Sequence, residues 1–177
     1  TNKKKKKKTR LDGDQGELEQ YLDELADDLT QTDTSIQTGN VMADAVLNSK
    51  LSVAEQKSIQ LNVKAHIPKG IEMTDVEMCS VLGNLLDNAI EACEKLPCDK
   101  RFLRVYIDKF KGQFYLSVQN SSPSIQRDKG IFRTTKAGTH GFGLFRIDRI
   151  AKKYGGYVNR QYEEGVFATE LLLPLSG

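Results

Sequence analysis

Two stretches of the chain hold residues of the types and spacing that phosphate or metal chemistry needs. In GNLLDNAIEAC, residues 83–93, Asn84, Asp87 and Asn88 interrupt a run with a good apolar period, although Asn and Asp are indifferent helix formers that compete for the backbone. At about 100° per residue, Cys79, Leu82, Leu86, Ala89, Ile90 and Cys93 gather on one side of the helix. Asn84, Asn88 and Glu91 fall in a narrow opposite stripe, with Asp87 at its edge. A plainly solvated face is one reading, but such faces are normally filled with Glu, Lys and Gln. Short amides and a short carboxylate instead hold oxygen acceptors close to the backbone, which suits a hard cation or an ordered water chain.

The second stretch is THGFGL, residues 139–144, where Gly141 and Gly143 are expected immediately ahead of a helix. Without side chains there, backbone amides can approach an anion, and the helix turns its positive end toward it. A simple turn before a helix is the alternative. The stretch closes a long polar loop, Ser121 to Gly138, in which Thr134, Thr135 and Lys136 offer hydroxyls and a cation for a phosphate.

These stretches need elements to position them. Leu18, Leu22, Leu25 and Leu29 recur at the spacing of a narrow helical seam within 17–29, shorter than the ~3–4 heptads that identify a coiled coil. Thr38 is the expected N-cap of a helix carrying Val41, Ala45, Val46 and Ala54 and running to about Lys57. Ile59 to Ile67 alternates as a half-buried strand, and Thr74 caps the long helix that ends near Leu96. Leu103, Val105 and Ile107, then Phe114, Leu116 and Val118, form a hairpin turning at Lys111 and Gly112. A helix from Leu144 to Tyr154 and two closing strands, Tyr157 to Tyr162 and Val166 to Leu173, complete the chain. This order predicts an α/β fold: a two-layer sandwich in which a mixed, mostly antiparallel sheet is covered on one face by helices.

Composition excludes several classes. The 177 residues are 38% hydrophobic and 28% charged, which suits a single globular domain. Net charge is only +2 but uneven, with Lys3 to Lys8 and Arg10 basic and Asp12 to Asp33 acidic. Residues 1–16 read as a disordered basic tail with no motif for nucleic acid beside it. Cys79, Cys93 and Cys98 form neither a zinc pattern nor a disulfide framework, so a reducing cytoplasm is expected. No apolar run approaches the roughly 18 residues of a membrane span, and no signal peptide is expected.

NLLDNAIEA resembles the asparagine box of the GHKL ATPases. With TGN, DAVLNSKLSVAE and TTKAGTHGFGLFRI, the chain from about Thr38 to Pro174 is similar to the ATP-binding domains of sensor histidine kinases of the quorum-sensing peptide-receptor type. The resemblance implies ATP and Mg²⁺ as cofactors, the ion held by Asn88 between phosphates. It makes Asn84 and Asp87 the catalytic candidates, ordering water or touching phosphate. It sets Thr139, His140, Gly141, Gly143 and Leu144 against the triphosphate, with Thr135 and Lys136 on a lid above. It further implies the division 1–16 tail, 17–36 a dimerisation-type helix fragment and 37–177 the ATP-binding catalytic domain. The implied partners are a histidine-bearing dimerisation hairpin, a response regulator and a second copy of the full-length protein. That protein would be anchored in the bacterial membrane, with this domain in the cytoplasm.

Two features depart from the family pattern. The aspartate-glycine box that reads adenine is absent, VQNSSPS stands in its place, and Asn120 is the candidate substitute because its amide oxygen can accept the same hydrogen bond. A structural asparagine opening a turn is the other reading. The phosphoacceptor is also missing from a suitable helix. His66 is expected at the edge of the core, and His140 falls in the glycine box. Other readings are a GHKL-type anti-sigma serine kinase and a degenerate nucleotide-binding or interaction module.

Overall fold

A computed structural model describes residues 19–20, 35–124 and 139–176, with the backbone alone at 139–142. The chain divides into two compact units, 1–35 and 36–177. In the first, Glu19 and Gln20 are helical. The lysine tail, all four leucines of the helical seam and the loop carrying Thr134, Thr135 and Lys136 lie outside the described residues. The second unit runs α1 (Val41–Gln56), β1 (Gln60–Ala65), α2 (Asp75–Glu94), a short 3-10 turn (Cys98–Lys100), β2 (Phe102–Phe110), β3 (Gln113–Ser121), α3 (Thr139–Lys153), β4 (Tyr157–Glu163) and β5 (Val166–Pro174).

The strands form one five-stranded sheet in the order β1-β2-β3-β5-β4. β1 and β2 are parallel, because the chain between them crosses over through α2. The other pairings are antiparallel. At the β2–β3 turn Lys111 and Gly112 both take positive φ, 49° and 75°, as a two-residue hairpin requires. Register places Leu103, Val105 and Ile107 beside Asn120, Val118 and Leu116, so a single apolar face continues across the strands. That face packs with Leu47, Leu51 and Ala54 of α1, Leu82, Leu86 and Ala89 of α2, and Ile147 and Ala151 of α3. The other face leaves Tyr106 and Tyr157 exposed. The expected two-layer sandwich is the fold observed.

The long central helix starts where Thr74 was expected to cap it. Thr74 Oγ1 accepts from the Glu77 N–H at 3.1 Å, and Glu77 Oε1 accepts from the Thr74 N–H at 3.1 Å, closing a capping box. Its buried face is wider than the periodicity gave, adding Met78, Val81 and Leu85, while Cys79 is only half-buried.

Three expectations are corrected. The N-cap of α1 is Asn40, whose Oδ1 accepts from the Ala43 N–H at 3.0 Å. Thr38 is instead buried, its N–H 2.7 Å from Asp44 Oδ1 and its hydroxyl bonded to the same oxygen. Val41 belongs to no apolar face, because its place in the first turn leaves it 84% exposed. His66 lies past the end of β1 and is exposed, with Nδ1 3.4 Å from Asp108 Oδ1. An imidazole there finds a carboxylate and water rather than the core.

Candidate functional site

α2 is the middle helix, with α1 on one side and α3 on the other, and its polar stripe divides between them. Asn84 turns toward α3. Its Nδ2 donates to Ser80 Oγ at 3.3 Å, and a Cβ built on Gly143 would stand 2.9 Å from Asn84 Oδ1 and 3.2 Å from its Cγ. The two stretches singled out by residue type, 59 positions apart (143 minus 84), therefore meet, and glycine is what allows them to. Asn88 lies one turn further along the same stripe, half-buried.

The glycines do not precede the helix as expected. α3 begins at Thr139, so Gly141 and Gly143 occupy its first turns. The N–H of Gly141 remains among those without an intrahelical acceptor, whereas that of Gly143 falls within the helix ladder. Gly143 thus serves close approach, and Gly141 lies in the first turn. A glycine inside a helix sacrifices roughly 1 kcal/mol relative to alanine, and the contact with Asn84 is the compensating reason for it.

The far end of α3 fixes this meeting. Lys153 Nζ lies 3.1 Å from Glu77 Oε2, and the Tyr154 hydroxyl donates to Glu77 Oε1. Burial by itself raises the Glu77 carboxyl, but hydrogen bonds from the Tyr154 hydroxyl, the Thr74 backbone and Lys153 outweigh it and hold it at about 2. From the sheet, Arg160 reaches Asp148 Oδ1 at 3.0 Å and the Leu144 carbonyl at 3.4 Å, supporting the start of α3.

Asp87 turns the other way. Lys50 of α1 places Nζ 2.8 Å from Asp87 Oδ1, so the carboxylate is engaged on the side of α2 away from Gly143. Beneath the helices, Asn120 continues the inward row of Phe114, Leu116 and Val118 and is 3% exposed. Its Nδ2 donates to the Ser121 carbonyl at 3.0 Å. Thr169, equally buried, pairs in register with Val118. Sequence reasoning passed over Thr169, although it is the lone hydroxyl in the inward alternation Phe167, Thr169, Leu171, Leu173. Thr135 and Lys136 fall outside the described residues, and at Thr139 and His140 the backbone alone is described.

Among the described residues no group of three or more His, Cys, Asp or Glu could hold a metal. The groups present are amide side chains of α2 and the first-turn N–H groups of α3, which have no acceptor within the helix. That set fits a hard cation sharing its coordination with bound phosphates, as Mg²⁺ prefers, better than a metal held by protein alone.

Residues 72–174 match the family described as the GHKL domain, and the chain belongs to it. It is 23% identical over 162 residues to the sensor histidine kinase NatK of Bacillus subtilis, covering 87% of this chain and 51% of that protein. It is 26% identical over 162 residues to the sensor histidine kinase DcuS of Escherichia coli K12, covering 85% of this chain and 29% of that one. The chain thus spans about half of NatK and less of DcuS. Among solved structures, the nucleotide-free catalytic domain of histidine kinase ThkA superposes with a TM-score of 0.62 at 20% identity, covering 79% of this chain and 96% of that one. A mycobacterial sensor histidine kinase, MprB, gives 0.57 at 19%, covering 73% and 93%. The fold is that of histidine kinase catalytic domains.

Proposed function

We propose that this domain binds ATP with Mg²⁺ and transfers the γ-phosphoryl group to a histidine carried by another segment. The contact between Gly143 and Asn84 carries the reading, because it brings the asparagines of α2 beside the first turns of α3, whose leading N–H groups have no acceptor within the helix. Asn88 would hold Mg²⁺, which supplies charge neutralisation to the phosphates when bound. Asn84 orients water or a phosphate oxygen, and the start of α3, Thr139 to Leu144, faces the triphosphate. Thr135 and Lys136 would add a hydroxyl and a cation for the phosphates. Asn120 and Thr169 present the polar floor on which the adenine edge is read. Asp87 stands at the outer edge, held by Lys50. Such a site works by positioning and electrostatics rather than by a covalent group of its own.

The partners that follow are a histidine-bearing helical hairpin and a response regulator, within a dimeric, membrane-anchored kinase whose catalytic domain faces the cytoplasm. No helix among the described residues is long and apolar enough to cross a membrane. The test is to titrate ATP with and without Mg²⁺ against the parent and Asn88→Ala, then to supply a separate histidine-bearing hairpin. Asn88→Ala is expected to weaken Mg²⁺-dependent binding about a hundredfold, and the parent to deposit acid-labile phosphate on histidine. Phosphoserine on a partner, or no transfer with binding intact, would overturn the proposal.

A further inference from the structure

We infer that Lys50 is the counter-ion that lets the asparagine box carry a carboxylate beside a polyphosphate, an inference that rests on the nucleotide reading above. Asp87 precedes Asn88 directly, so although its carboxylate turns toward α1, its charge lies within the ~10 Å over which charges act at ordinary salt of where the phosphates are proposed to bind. Two like charges at that range oppose one another, and the domain would lose nucleotide affinity unless the carboxylate were neutralised. Lys50 does so from a neighbouring helix, with Nζ 2.8 Å from Asp87 Oδ1.

α1 delivers that ammonium by its own packing. Leu47, Leu51 and Ala54 are buried against the core, and Lys50 lies beside them on the flank toward α2 with its side chain only 24% exposed. The two helices run side by side in the same direction. Asn40 Nδ2 bonds Asp75 Oδ1 at 2.9 Å near their N-terminal ends, Lys50 meets Asp87, and Lys57 meets Glu94 one heptad later on both helices. Three rungs dock α1 on α2, but only the middle one adjoins Asn88. The Lys57–Glu94 pair is of the same chemistry, with a more exposed lysine, and so serves as an internal control.

Docking alone does not account for the middle rung. Asp87 remains 46% exposed, and ion pairs at such positions add little to stability. An electrostatic role makes a different demand, which salt and phosphate count can reveal.

The test measures MgATP and MgADP binding to the whole chain at about 0.05 M and about 0.5 M salt, since screening lengths differ severalfold between them. Lys50→Met is expected to weaken MgATP binding about fivefold at low salt and less than about twofold at high salt, with a smaller loss for MgADP and an unchanged melting temperature. Adding Asp87→Asn to Lys50→Met should recover more than half of that loss, and Lys50→Arg should retain binding. Lys57→Met should match the parent at both salts. Unaltered or tighter MgATP binding by Lys50→Met at low salt overturns the inference, the tighter case pointing to Asp87 as a metal ligand. An equal loss at both salts overturns it too. If the parent itself bound no MgATP, the failure would lie with the proposed function.

Discussion

At the scale of single residues, the strongest statement concerns Gly143. Alanine there would bring a Cβ to 2.9 Å from Asn84 Oδ1, a separation that real Cβ atoms essentially never show. Asn84 must swing away, while the helix itself gains propensity from the change. Gly143→Ala should therefore keep its melting temperature and lose about ten- to a hundredfold in ATP affinity, read by calorimetric titration. An affinity equal to the parent's would show that Asn84 has no part in binding. Residue types made much of this legible, because Asn84 and Asn88 stood out as poor choices for an ordinary helix and Gly141 and Gly143 as an anion cradle expected ahead of one. The contact between Asn84 and Gly143, and the one between Lys50 and Asp87, were not legible. They join residues on different helices, and no local pattern encodes which face of a helix meets which neighbour.

At the scale of elements, Glu77 ties the first turn of α2 to the last turn of α3. Its carboxyl is held at about 2, below its ordinary value of 4.5. A group lowered in this way stabilises the fold fully above the ordinary value, and the contribution is lost as pH falls from about 5 toward 2. With solvent screening allowed for, it is on the order of 1–2 kcal/mol. Acid titration of stability should show that slope in the parent and a flatter one in Glu77→Gln, followed by circular dichroism. An identical slope in both would remove Glu77 from the acid response. Elements were the most readable level, since strand alternation, the Thr74 cap and the hairpin at Lys111 and Gly112 all follow from local rules. The N-cap of α1 was misread because Thr38 and Asn40 are both good caps, and the choice was made by Asp44, which takes up Thr38. The start of α3 was misread for a related reason. Glycine signals a break locally, but both Gly141 and Gly143 are helical, and Gly143 packs against Asn84.

At the scale of the molecule, the described site and the core beneath it belong to one unit. Every described residue assigned to nucleotide, from Lys50 to Thr169, lies within 36–177, as do all members of the buried cluster. The segment leading into α1 is fastened inside that unit as well. Asn48 bonds both the N–H and the carbonyl of Ile36, at 2.8 and 3.0 Å. A unit with its own core and its own fastened end should fold alone. Residues 36–177 expressed without 1–35 should melt cooperatively within a few degrees of the full chain and bind MgATP within about threefold of it. Loss of cooperative melting would mean that the first unit completes the core. Intact melting with lost binding would mean that it completes the site. Phosphoryl transfer to a separate histidine-bearing hairpin is the one property the shorter chain should lose if residues 17–35 help to dock that substrate, so measuring it beside binding separates recognition of nucleotide from recognition of the acceptor.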